Sequence, residues 1–315
     1  ELTQLLAKEE NSVLVIVNTI DDSKELYSNL KEYLCMENLF LLNTHFTPND
    51  RKKKIQIIKE RLNKNKKTIL ISTQLIEAGV DIDFPVLYRD FALISSIVQS
   101  AGRCNRNGRM VDKGKVVVFN LQKNGKSRAN LIYGRGKEKE ILKFTKSAIA
   151  NTDNFQEKEL LTIQQEFFTK ISQELNFGRH SQNKGKIEFD FIKDIKDCAF
   201  EKAGKFQLID ENEFGIVMQF FVPIDDNDYR FESLLGLKNE MKANNINLEQ
   251  VRILKLKIKN HLKEMANSIV SVRIKTNETK PLFGSDEDYY GIWKISLDSY
   301  SFEKGVDVKG ENFIL

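Results

Sequence analysis

Two stretches decide how this chain reads: STQLIEAGVDIDF at residues 72–84 and QSAGRCNRNGR at residues 99–109. The first begins where the short apolar, β-branched run 68–72 ends, and such a run reads as a buried strand. Thr73 therefore stands at a strand's C-terminal end, the edge where open α/β sheets bind ligands. Its hydroxyl and the amides beside it suit a phosphate. Gly79 and Asp81 follow at fixed spacing. Asp81 is placed to accept a ribose hydroxyl, whereas Asp83 reads as the cap of a turn. In the second stretch Gln99, Gly102, Arg103 and Arg106 form QxxGRxxR. Gly102 lets the backbone approach a ligand. Helical i, i+3 spacing would turn both guanidiniums to one side, able to grip a polyphosphate, with one as an arginine finger. Taken alone, the same two arginines read better as surface ion pairs, and it is the neighbouring motif that favours the nucleotide.

Working outward, the unit of apolar run, polar turn and helical pattern recurs. Residues 13–17 form a strand ending at Asn18 and Thr19, followed by a helix over 23–34. Residues 39–42 form another, leading through Asn43, Thr44 and His45 into a helix over 49–62, with Asn49 or Asp50 suited to cap it. Strands at 68–72, 86–88 and 116–120 and a helix beginning at 95 complete the pattern. Strands alternating with helices predict a parallel sheet covered by helices on both faces. Residues 122–136, rich in Gly, Lys, Asn and Arg, read as a loop or linker, with a boundary near 150. A helix over 156–177 follows, its apolar stripe read as packing. Strands at 206–209, 216–222, 252–258, 269–274 and 293–297 predict a small α+β domain. In 252–258, Lys255 and Lys257, continued by Lys259, alternate with apolar residues, placing ammonium groups on one sheet face.

The 315 residues suffice for two domains, each with a core, and 41% hydrophobic with 30% charged residues excludes disorder. Cys35, Cys104 and Cys198 are far apart and form no zinc cluster, so free thiols in a reducing cytoplasm are expected. No apolar run approaches a membrane span and no signal peptide is evident. The start at Glu1 rather than Met suggests a fragment. Net charge is only +4, but residues 51–67 hold nine basic side chains against Glu60 alone. That run reads as a nucleic-acid backbone face or as a solvated helix face.

TQLIEAGVD and QSAGRCNR resemble motifs V and VI of superfamily 2 helicases. More narrowly, STQLIEAGVDIDF followed by QSAGRCNRNG resembles the CRISPR-associated helicase-nuclease of type I interference systems. VNTIDDS (17–23) and LLNTHFTPNDR (41–51) are similar to preceding motifs of that family, and FDFIKDIKDCAFEKAGKFQLID (189–210) to the opening of its C-terminal domain. The resemblance implies an interlobe tail at 1–12, a second RecA-like lobe at 13–150, a linker helix at 151–184 and an accessory domain at 185–315. It implies that Gln99, Arg103 and Arg106 face the nucleotide, with Gly79, Asp81 and Gly102 beside it. It places Asn18, Thr19, Thr44, Arg51 and Thr73 at the DNA backbone. ATP and Mg²⁺ in the intact enzyme, single-stranded DNA, a first RecA-like lobe, a nuclease domain and an RNA-guided surveillance complex are its implied cofactors and partners. One position departs from the pattern: Ser100 stands where the family usually carries Arg.

The sequence holds no GxxxxGK[ST] and no DExH box, the groups that cradle phosphates and hold magnesium. Gly125, Lys126 and Ser127 come nearest to a phosphate loop, with Asn120 in place of its first glycine. Three scattered histidines without an HD dipeptide seat no metal nuclease. The expectation is a chain that neither hydrolyses ATP nor binds it tightly alone. Other superfamily 2 motors, of RNA or restriction type, fit the same motifs. A non-catalytic nucleic-acid or protein-interaction module that keeps a motor-like fold remains the alternative from another class.

Overall fold

The computed structural model describes residues 1–77, 79–108, 113–134, 136–149, 154, 156–174, 180–182, 187–189, 191–199, 216–243, 246–274 and 284–307. Five parallel strands, β1 (Val13–Ile16), β2 (Leu39–Leu42), β3 (Ile69–Ser72), β4 (Val86–Asp90) and β5 (Lys115–Phe119), form one sheet in the order β2-β3-β1-β4-β5. Side chains of a strand alternate between faces, so this sheet has two cores. Val13, Val15, Leu41, Ile69, Ile71 and Tyr88 lie in one, with Leu6 of α1 (Leu2–Lys8) and Leu26 and Leu30 of α2 (Ile20–Leu30). Leu14, Ile16, Leu42, Leu70 and Leu87 lie in the other, with Ile58 of α3 (Pro48–Asn63). This is the RecA-like α/β class, with helices covering both faces of a parallel sheet.

Helix starts differ from the expected positions because of their caps. Thr19 accepts a hydrogen bond from the Asp22 amide at 2.9 Å, so α2 begins before residue 23. In α3 the cap is Thr47 rather than Asn49 or Asp50, because Pro48, which lacks an N–H and has a fixed φ, suits the first helical position. α4 (Ile94–Ala101) carries the start of the second motif.

The chain divides into two compact units, 1–91 with 99–119 and 214–315, and 92–98 with 120–213. In the second, residues 122–136 are not a plain linker. β6 (Gln122–Lys123) and β7 (Lys126–Ser127) pair as a hairpin whose turn residues Asn124 and Gly125 both take positive φ, followed by α5 (Arg128–Tyr133). α6 (Gly136–Ile149) and α7 (Glu157–Glu174) follow, and Phe167 and Ile163 of α7 pack with Phe144 and Ile94. β8 (His180–Gln182), β9 (Ile187–Phe189) and α8 (Phe191–Lys196) end the unit's described elements.

In the first unit, β10 (Ile216–Phe221), β11 (Ile269–Ile274), β12 (Gly284–Tyr289) and β13 (Ile292–Ile295) form a mixed sheet in the order β11-β10-β13-β12. α9 (Arg230–Lys242) and α10 (Leu248–Met265) cover one face through Phe231, Leu234, Ile258 and Met265, giving the expected α+β composition. The strand expected at 252–258 is part of α10. An Asn247–Gln250 capping box starts the helix, and Leu254 and Ile258 are buried four apart while Leu256 is 60% exposed. Lysines alternating with leucines fit period two by accident; in the helix Lys257 turns away, while Lys255 and Lys259 stand one turn apart. The strand expected at 206–209 lies outside the described residues.

The short hairpin of β14 (Tyr300–Ser301) and β15 (Gly305–Val306) docks on the loop after β2. The Tyr300 hydroxyl donates to Asp50 at 2.7 Å and accepts from the Thr47 amide at 3.0 Å. The Val306 amide donates to the His45 carbonyl at 2.9 Å, and Lys24 donates to the Val306 carbonyl. Gly305 has φ +71°, and a Cβ there would lie 2.5 Å from the His45 carbonyl oxygen. Lys54 reaches the Leu41 and Glu303 carbonyls between the Phe46 and Phe302 rings, and burial pushes its pKa down to about 8.

Burial, with the Lys24 charge adding, pushes the His45 imidazole down to about 3. The unfolded chain takes up a proton near the ordinary value of about 6.5 while the folded chain does not, so stability falls as pH drops from there towards 3. At pH 5 the loss from this group is about 2 kcal/mol. Urea unfolding at pH 7 and pH 5 checks it: His45→Gln should flatten the difference, and an unchanged pH response in the variant would contradict it.

Candidate functional site

Strand ends build the site. Asn18 and Thr19 follow β1, Thr44 follows β2 and Thr73 follows β3; because these strands are neighbours, all four residues lie along the sheet's C-terminal edge. Thr44 is exposed; Thr73 is 5% exposed, and its hydroxyl makes no hydrogen bond among the described residues. Thr19 and Asn18 are different. The Thr19 hydroxyl caps α2 and donates to Asp22 at 2.6 Å. The Asn18 amide donates to Asp90 at 2.7 Å and to the Phe91 carbonyl at 2.8 Å, and its oxygen accepts from Arg89 at 2.9 Å. Both side chains are buried with their polar atoms bonded inward, leaving backbone at that part of the edge. Arg51 is half-buried on the first turn of α3, where burial lowers its pKa.

The two motif stretches are stitched together. Phe84 and Cys104 form a bridge, the Phe84 amide donating to the Arg103 carbonyl and the Asn105 amide to the Phe84 carbonyl, each at 3.0 Å. Asp83 accepts from the amides of Arg106 at 2.8 Å and Asn107 at 3.2 Å, the turn-capping role its sequence position suggests. Arg106 is left exposed with Nη1 3.3 Å from Asp81 Oδ1. Gln99 and Gly102 are exposed beside it, and Gly79 has φ +74°. Burial and the Asp83 charge push the Cys104 thiol up to about 11, so it is protonated and inert at neutral pH.

The expectation that Arg103 and Arg106 point the same way is corrected. α4 ends at Ala101, so helical spacing no longer applies after it. Arg103 is 8% exposed and turns inward, its Nη2 donating to the Glu77 carbonyl at 2.6 Å; burial, with the Arg106 charge adding, lowers its pKa. Ser100 is fully buried and donates to Glu77 Oε1 at 2.9 Å. Sequence reasoning passed over Arg89 of β4, which is 0% exposed with Nη2 3.2 Å from the same Glu77 oxygen. The one available signal was an arginine closing the apolar strand VLY.

Lys126 lies in β7 opposite Lys123, and the Asn124–Gly125 turn reverses the chain. A phosphate loop instead runs from a strand into a helix with its amides converging on the ligand. Residues 120–127 therefore do not build one. Among the described residues no group of three or more His, Cys, Asp or Glu is placed to hold a metal ion, and no helix is long and apolar enough to cross a membrane. The residues present fit one side of a nucleotide, an exposed guanidinium with a carboxylate, without a cradle for its phosphates.

Fold and site together define a RecA-like α/β lobe with an accessory α+β part. Residues 9–109 match the family model of the CRISPR-associated nuclease/helicase Cas3, C-terminal. The Cas3 of Methanothermobacter thermautotrophicus is 31% identical over 147 residues, 46% of this chain and 16% of that protein. In fold, the chain is similar to T. fusca Cas3 in its AMPPNP crystal structure, at 14% identity and a TM-score of 0.57, covering 94% of this chain and 37% of that one. It is likewise similar to a chain of a CRISPR RNA-guided surveillance complex, pre-nicking, at 14% identity and 0.53, covering 94% and 39%. The chain is thus similar to a C-terminal part of the Cas3 nuclease/helicase, by sequence family over residues 9–109 and by fold over nearly its whole length. It spans well under half the length of each of these relatives.

Proposed function

We propose that this chain is the C-terminal half of an ATP-dependent single-stranded DNA translocase acting in CRISPR interference, supplying an arginine finger and part of the DNA track. The observation that carries this reading is the Arg106–Asp81 pair, exposed and joined across the two motifs at 3.3 Å. ATP with Mg²⁺ would draw the lobes closed on binding and supply the phosphoryl group whose transfer to water lets them reopen. Its phosphates would be held mainly by a first RecA-like lobe. Arg106 would approach them from this side, Gln99 and Gly102 would line the same surface, and Asp81 would accept a ribose hydroxyl. Thr44 and Thr73 would donate to the DNA backbone, with Arg51 and the exposed lysines of α3 nearby. A surveillance complex and a nuclease domain are the proposed partners of the intact protein, supported by the similarity to nuclease/helicases and to a chain of an RNA-guided surveillance complex.

Hydroxyls and amides position a backbone and read no bases. This chain alone should therefore bind single-stranded DNA weakly and without sequence preference. With about three phosphates neutralised, the slope of log affinity against log salt should be roughly −2, since single strands give about −0.7 per contact. Thr73→Ala should weaken binding more than replacing exposed Lys52. Anisotropy with labelled homopolymers across a salt series tests this. A flat salt response, strong sequence preference or indifference to Thr73 would favour a protein-interaction module instead. Phosphate release by this chain above a buffer blank, abolished by Lys126→Ala, would overturn the division of labour.

A further inference from the structure

A guanidinium at 0% exposure on a central strand is costly to bury, and well-packed apolar side chains often serve stability as well or better. Arg89 is held from two directions. Its Nη1 donates to Asn18 Oδ1 and to the Asp90 carbonyl, both at 2.9 Å. Its Nη2 lies 3.2 Å from Glu77 Oε1, off the N–H direction, as a charge pair rather than a hydrogen bond. Strand alternation puts Leu87 and Arg89 on one face, above the loop that carries Glu77.

Each anchor leads to a different part of the site. Asn18 opens the sheet edge after β1, next to Thr19, and also accepts from Gln74, the residue after Thr73, at 3.4 Å. Glu77 holds Ser100 through its carboxylate and Arg103 through its carbonyl, and these flank the exposed Gln99, Gly102 and Arg106. One buried side chain thus joins the edge proposed for DNA to the segment proposed for nucleotide, through contacts of 2.6 to 3.2 Å.

We propose that Arg89 is a positioning residue that couples DNA binding at the strand edge to nucleotide binding at the Gln99–Arg106 segment, through Asn18 on one side and Glu77 on the other. This rests on the functional reading above. Arg89 touches neither ligand; it fixes where both surfaces stand, so a shift in one moves the other. The planar fork is what permits two anchors at once, which a lysine cannot reproduce.

The test is a linkage measurement on the full-length protein. The dissociation constant for single-stranded DNA is measured with and without a non-hydrolysable ATP analogue, in wild type and in the double variant Arg89→Met with Glu77→Gln. Removing both charges avoids a lone buried ion, so the variant should fold. Coupling between sites is commonly about 5- to 150-fold in affinity. Wild type should show such a ratio, and the double variant should bring it below about twofold while still binding each ligand. A general loss of stability would not move this ratio. Should the double variant fail to fold, Arg89→Lys carries the test, keeping the charge beside Glu77 while losing the fork, with the same collapse expected. An unchanged ratio in a folded variant overturns the coupling and leaves the functional reading standing. A wild type that binds neither ligand overturns both.

Discussion

In the full-length protein, Arg106→Ala is expected to lower ATP turnover on the order of 10³-fold, the lower end of what an arginine finger contributes. The backbone of this residue is fixed by Asp83, which accepts its amide at 2.8 Å, so truncating the side chain leaves the loop in place. The Asp81 partner is itself exposed and stays hydrated when the guanidinium goes. Stability should therefore barely change, as expected of an exposed pair. Arg106→Lys should not rescue, because a point charge lacks the planar fork. Steady-state phosphate release with saturating DNA, alongside a thermal melt, makes the measurement. Near-normal turnover in Arg106→Lys would remove the finger assignment.

Arg89→Ala on its own should have the largest effect on folding, about 3–5 kcal/mol, because it removes the guanidinium beside the buried Glu77 carboxylate. Arg103→Ala removes a charged donor from the Glu77 carbonyl and should cost less, about 1.5–3 kcal/mol. The order matters as much as the size. Urea titrations of the two single variants read both, and a larger loss for Arg103 would overturn the order.

The parallel lobe was legible from its strands because each carries a short, bounded apolar run, and β2 falls at the residues expected for it. What escaped the sequence were features set by contacts distant in the chain. Residues 252–258 mimic a strand because lysine and leucine alternate, and only the cap at Asn247 and burial of Leu254 with Ile258 choose the helix. Arg103 and Arg106 sit at helical spacing, yet the helix stops at Ala101 and their roles diverge: one is anchored inward on Glu77, the other faces out. Asn18 has the residue type and strand-end position of a backbone contact. Its inward commitment follows from Asp90 and Arg89, 72 and 71 residues away.

The hairpin of Tyr300 and Val306 has a consequence for how the chain comes to be folded. Tyr300 and Thr47 are 253 residues apart, and Lys24 and Val306 are 282 apart. On the ribosome the parallel lobe, all of it within the first 119 residues, can assemble long before its partner for the loop after β2 emerges. Until then that loop lacks the hydrogen bonds that the hairpin makes with Thr47 and His45, and closing so long a span is among the slower events available to a chain. The lobe is therefore born open at one corner of its ligand edge and is completed last.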